Sequence, residues 1–147
     1  MSLPPLPLEA IDVHVPAEDW RAAVTLAGDA LVRSGVAKPG YANEMIRMIE
    51  EHGPYVVIAP GLALAHARPG PDVLGDGLAI VTLENPVDFG HPYNDPVRVV
   101  LGLAIASAGE HLAAVASLAN VFNDSSAIDD LAAAETAEQI QTIMGAA

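Results

Sequence analysis

The sequence predicts an α/β sandwich: a mixed β-sheet with helices on both of its faces. Three observations carry this. Apolar runs of five to nine residues are rich in Val, Ile and Leu, as strands buried on both faces are. Segments with apolar residues three and four apart alternate with these runs. Gly, Pro, Asn and Asp cluster between them, where the chain must turn.

Residues 1–10 hold three prolines and read as an irregular arm. Ile11, Val13 and Val15 then alternate with Asp12 and His14 as a short strand, which Pro16 stops. Ala17 to Ser34 has helical spacing, with Trp20, Val24, Ala27 and Leu31 on one face. Glu18 and Asp19 sit at the positive helix end, and Gly35 is placed to close the other. A second helix runs from Tyr41 to His52 on Tyr41, Met45, Met48 and Ile49. Gly53-Pro54 ends it. Tyr55 to Ala59 is a continuous apolar run with the character of a buried strand. After Pro60-Gly61, a short strand from Leu62 to His66 runs into a loop over residues 68–77 with three glycines and two prolines. Leu78 to Leu83 is a strand, residues 84–96 a turn-rich loop, and Val97 to Ile105 the longest buried strand. Ser107 and Glu110 have capping-box spacing ahead of a helix from Gly109 to Phe122, with Leu112, Val115, Leu118 and Phe122 on its inner face. Asn123-Asp124-Ser125 breaks the chain. Ala127 to Ala134 is helical, with Ser126 and Asp129 as a cap pair. Thr136 and Gln139 open a last helix that ends near Gly145.

The composition excludes several functions. With 147 residues the chain has the length of one domain. It contains no cysteine, so disulfides, thiolate zinc sites and cysteine nucleophiles are all absent. A net charge of −13 disfavours nucleic acid and anionic membrane surfaces. The longest apolar stretch, Val99 to Ala108, is far short of the roughly 18–20 residues that span a bilayer. The N-terminus lacks the charge and apolar core of a signal peptide. A soluble, cytoplasmic protein is expected.

Five histidines, the hydroxyls and the carboxylates are left to carry chemistry. There is no His-x-x-x-His pair, nucleophile elbow or nucleotide-binding glycine loop, so no metal or cofactor is expected. His66 has the most informative setting: an apolar strand passes there into a Pro- and Gly-rich loop. Arg68 follows two residues later, on the same side of an extended chain. A neutral imidazole can attack phosphorus while a guanidinium neutralises phosphoryl oxygens. His111 falls in the first turn of its helix, where the dipole keeps an imidazole neutral. His91 and Asp95 share the loop Phe89-Gly90-His91-Pro92-Tyr93-Asn94-Asp95 and are candidates to border a cleft. His52 reads as a helix-end residue and His14 as exposed surface. Asp72, Asp76 and Asp88 read as solvated turn residues.

Taken together, these residues resemble a known family. The features, in order, are Asp19-Trp20, Tyr41 with Met45, Gly53-Pro54-Tyr55, Ala63-Leu64-Ala65-His66-Ala67-Arg68-Pro69, and Pro86-Val87-x-Phe89-Gly90 followed by Asn94-Asp95-Pro96-Val97. His111-Leu112 and Leu118 come after them. From about residue 9 to the C-terminus the chain is similar to the IIA component of the phosphoenolpyruvate-dependent sugar phosphotransferase system. It resembles the mannitol/fructose type and, within it, most closely the ascorbate branch. The resemblance implies a mixed sheet flanked by helices and a phosphohistidine relay. The histidine matching His66 takes a phosphoryl group from the carrier HPr and passes it to a cysteine of a IIB component, which serves a IIC permease. The histidine matching His111 steadies the phosphoryl group. Some relatives are instead regulatory, their phosphorylation state controlling a partner protein. A homodimer is compatible with the sequence. Two departures stand out. Ala65 replaces the proline that usually precedes the active histidine. An arginine near the end of the second helix in mannitol- and fructose-type relatives aligns with Met48, and Arg47 points about 100° away. Arg68 is then the candidate to supply the positive charge. A neutral or positive patch is expected at His66, Arg68 and His111, with the acidic surplus elsewhere.

Overall fold

A computed structural model describes residues 3–123 and 126–145. Its five strands are β1 (Ile11–Val15), β2 (Val57–Ala59), β3 (Leu62–His66), β4 (Gly77–Val87) and β5 (Val97–Ala104). The helices are α1 (Trp20–Arg33), α2 (Tyr41–His52), α3 (Ala108–Val121), α4 (Ser126–Ala133) and α5 (Ala137–Met144). The sheet order is β1-β4-β5-β3-β2. β1 with β4 and β3 with β5 are parallel pairs, while β4 with β5 and β2 with β3 are antiparallel. This is the mixed sheet expected. Gly77 to Leu83 are all buried, as both-face coverage requires. α1 and α4 both lie over β4 and β5 without substantial packing on each other, so they cover opposite faces.

The local signals at the helix ends act as expected. The Asp19 carboxylate caps α1 by accepting from Ala22 N at 2.9 Å. α2 has the bounds that its Gly boundaries set. Ser107 Oγ accepts from Glu110 N ahead of α3. Thr136 and Gln139 form a reciprocal capping box at α5, and Gly145 closes it in the left-handed conformation. α4 begins on Ser126, with Asp129 in its first turn. The break expected at Asn123-Asp124-Ser125 lies partly outside the described residues.

Four expectations need correction. The arm is docked: Leu6 and Ala10 are buried, Leu8–Ala10 form a 3-10 turn, and Gln141 Nε2 donates to Leu6 O. β4 continues to Val87, through residues read as loop. Beyond Leu83 it has outrun β1, and its register with β5 shifts between Thr82 and Val87. Exposed Glu84, Asn85 and Pro86 are tolerated on that unpaired edge. β2 is a short edge strand, with Val56 and Val57 buried but Tyr55 and Ile58 in solvent. α3 is turned by about one residue: Leu112 is 74% exposed, while Ala114 and Leu118 are buried and His111 is half-buried.

Candidate active site

The topology assembles the site at one end of the sheet. β3 runs parallel to β5, so His66 at the end of β3 lies beside Leu103 near the end of β5. The chain leaves β5, turns over residues 105–107 and starts α3, which brings His111 to the same end. Carboxyl ends of parallel strands are where open α/β sheets gather ligands. α2 reaches over from the other side with Met48 and His52, and the turn after it adds Tyr55. Met48, His52, Tyr55, His66, Ala67, Arg68 and His111 line one cleft of about 380 Å3. Its lining carries three histidines, an arginine and no carboxylate, as expected of a phosphate-handling patch. A larger groove of about 500 Å3 between α4 and α5 is lined by Asp130, Glu138 and uncharged residues, with neither histidine nor a basic side chain.

The orientation of His66 is defined by its neighbours. Its Nδ1 lies 2.8 Å from the Leu64 carbonyl oxygen. A carbonyl can only accept, so Nδ1 carries the hydrogen and the neutral ring keeps its lone pair on Nε2. Nε2 has no partner among the described residues. Burial holds the His66 pKa below the usual histidine value, and the neighbouring His111 pushes it the same way, while the hydrogen bond to Leu64 opposes both. The two imidazoles stand 5.2 Å apart between centroids, tilted by 47°. Burial alone lowers the His111 pKa, and its Nδ1 is shut off from solvent without a hydrogen-bond partner among the described residues. Both rings are therefore neutral near pH 7, and both line the cleft.

The strand exit after His66 is pinned by a residue whose sequence setting places it on the apolar face of α2. Tyr41 is 1% exposed. Its hydroxyl donates to Leu103 O at 2.7 Å and accepts from Ala67 N at 3.1 Å, tying β3 to β5 at the residue that follows His66. Burial pushes its pKa up to about 12, so it stays a neutral donor. Arg68 is exposed and, among the described residues, has no ion pair or hydrogen bond. Arg47 is committed elsewhere: it bonds Glu44 and lies 2.7 Å from Glu51 on the outer face of α2. Met48 lines the cleft.

His91 and Asp95 are not brought to this site. Their loop precedes Val97, at the start of β5, whereas His66 registers with Leu103. Six extended residues separate the two levels by about 20 Å. Both side chains shape the loop instead. Asp95 Oδ2 accepts from the backbone of Phe89, Gly90 and His91 at 2.7–3.0 Å, and His91 Nδ1 accepts from Tyr93 N and Asn94 N. His52, read as a helix end, does line the cleft. His14 is exposed as expected, and its Nε2 donates to Ala132 O at 2.9 Å. No group of three or more His, Cys, Asp or Glu residues is placed to hold a metal among the described residues.

Comparison with known proteins agrees with this geometry. Residues 5–146 match the family model described as "Phosphoenolpyruvate-dependent sugar phosphotransferase system, EIIA 2". The chain is 37% identical over 133 residues to the ascorbate-specific PTS system EIIA component of Shigella boydii serotype 4, covering 90% of this chain and 86% of that one. It superposes with a TM-score of 0.84 on a structure described as a PTS IIA (PtxA) from Streptococcus mutans, at 34% identity over 92% of this chain and 86% of that chain. The same score, at 25% identity over 97% and 99% of the two chains, relates it to IIA-mannitol in a complex of that enzyme with phosphorylated IIB-mannitol from Escherichia coli.

Proposed function

This chain belongs to the EIIA 2 family of the phosphoenolpyruvate-dependent sugar phosphotransferase system, and from that premise we propose that His66 is its phosphoryl carrier. The observation that carries the assignment is the hydrogen bond from His66 Nδ1 to Leu64 O, which leaves Nε2 unprotonated and unpartnered at the cleft. Nε2 attacks phosphorus on the donor phosphohistidine of HPr. The new N–P bond forms as the donor N–P bond breaks, and the donor imidazole leaves. Transfer onward is the same event in the other direction: a cysteine thiolate of a IIB component attacks, and the pair of electrons in the N–P bond returns to Nε2. Such transfers pass through a loose transition state, so catalysis consists of positioning and charge stabilisation. Leu64 O supports the positive character of the phosphorylated ring. His111 donates to a phosphoryl oxygen, and Arg68 neutralises the group's charge. Partners must come and go, which suits interfaces of modest area.

The relay reading places the protein in the cytoplasm, serving a IIC permease through IIB. No helix of the described residues is long and apolar enough to cross a membrane. Among carbohydrates, the Shigella relative favours an ascorbate-like sugar acid. Incubation with phosphoenolpyruvate, enzyme I and HPr should label the chain with acid-labile, base-stable phosphate. His66→Ala should abolish the label, and an equally labelled variant would rule the assignment out. Loss of growth on a single carbohydrate after deletion supports the transport role. Unchanged uptake with altered behaviour of an unrelated pathway would favour a regulatory one.

A further inference from the structure

The relay needs more than a free nitrogen: the plane of the His66 ring must be held while two different proteins approach it in turn. The bond from Nδ1 to Leu64 O fixes the tautomer and holds one edge of the ring, while a single hydrogen bond still lets the ring tilt through its side-chain torsions. Besides His111, one more ring lies against His66, that of Tyr55. Its ring stands at 88° to the His66 ring, with centroids 5.7 Å apart, the edge-to-face arrangement that aromatic rings favour. On its other side it meets His52, the last residue of α2, at 6.4 Å and 77°. The backbone that carries it is stiff: Gly53 sits at φ +86°, Pro54 follows, and Tyr55 N donates to Gly53 O at 2.9 Å. The next two residues, Val56 and Val57, are buried anchors, yet Tyr55 itself remains 41% exposed at the rim of the cleft. Core packing therefore does not account for it. Its hydroxyl is held neutral by partial burial and lies within electrostatic reach of the Arg68 guanidinium.

We propose that Tyr55 is a positioning residue of the relay, its ring fixing the plane in which His66 presents Nε2 and screening one side of the phosphorylated ring from water. The proposal rests on the reading of His66 as the carrier. The ring does the work, so Tyr55→Phe should transfer phosphate from phospho-HPr within about twofold of the unaltered chain. Tyr55→Ala should be about tenfold slower, the loss expected for one edge-to-face contact that orients a reacting group. Its phosphohistidine should also hydrolyse faster, and the His66 ring, followed by nitrogen-15 NMR, should titrate closer to the usual histidine value as the covering ring is removed. Tyr55→Leu keeps apolar bulk without the perpendicular geometry. It should behave like Tyr55→Ala in rate, and it stands in if the alanine variant unfolds on a thermal melt. Transfer and His66 titration unchanged in both the alanine and leucine variants would overturn the proposal while leaving His66 as carrier. A phosphate mapped by mass spectrometry to a residue other than His66 would remove the carrier reading and the role of Tyr55 with it.

Discussion

Replacing Tyr41 by Phe tests whether the buried hydroxyl holds the strand exit beside His66. The substitution keeps the ring that α2 packs against the sheet and removes one oxygen. Two partners lose their bond: the Leu103 carbonyl at 2.7 Å and the Ala67 N–H at 3.1 Å. The carbonyl has a second lone pair and lies within the β3–β5–β4 ladder, so its loss is the smaller. Ala67 N has a single hydrogen, and the residue is 2% exposed, so water does not replace the oxygen without opening the strand end. A buried donor left unpaired costs about 1–3 kcal/mol. The expected loss for Tyr41→Phe is therefore about 2 kcal/mol. Urea unfolding should show it as a lower midpoint at unchanged slope. Hydrogen exchange should show it locally, with the Ala67 amide losing more protection than amides of β4. Phosphoryl acceptance should slow as well, since small displacements of a reacting group are costly. A loss under 0.5 kcal/mol with Ala67 exchange unchanged would refute the reasoning.

Other consequences can be checked in the same way. Burial depresses the His66 and His111 pKa values below 6.5, so the unfolded chain binds more protons than the folded one in mild acid. Stability is then complete above about pH 6.5 and falls as pH drops toward the folded-state values. His66→Ala should flatten that dependence in unfolding curves taken between pH 7.5 and 5. Arg68→Ala should slow phosphoryl acceptance by about tenfold or more, the scale of a lost charge-assisted contact, and leave the melting temperature within about a degree, because Arg68 is exposed and has no ion pair among the described residues. Gly28→Ala should destabilise by about 1–3 kcal/mol in urea, because an added Cβ would lie 2.5 Å from Ala42 Cβ and force α1 and α2 apart.

Much of this architecture was legible in the residues, for local reasons. Asp19, Ser107 and Thr136 announce helix starts through their own side chains, and Gly53-Pro54 stops α2 where expected. β3 could be seen to end on His66, because an apolar run met a Pro- and Gly-rich loop. What was hidden depends on the partners of each strand. Glu84, Asn85 and Pro86 read as a turn, since sequence does not reveal that β4 outruns β1 and leaves them on a free edge. Tyr55 to Ala59 read as a buried strand, because its place at the sheet edge is a matter of topology. The same limit moved His91 and Asp95: their loop joins antiparallel strands at the end of the sheet away from His66, and strand direction leaves no mark on composition. On α3 the apolar spacing allowed two faces one residue apart, and the structure chooses the one that turns His111 inward. Tyr41 carried no polar signal among apolar neighbours. Its hydroxyl gains a role only once β5 lies beside β3.

The carrier assignment is tested most directly by the chemical form of the phosphorylated chain. Labelled through phospho-HPr and examined by phosphorus-31 and nitrogen-15 NMR, the protein should show one phosphoramidate, on Nε2 of His66, with Nδ1 still protonated and bonded to Leu64 O. Phosphate on Nδ1 of His66, or on any other residue, would contradict the account.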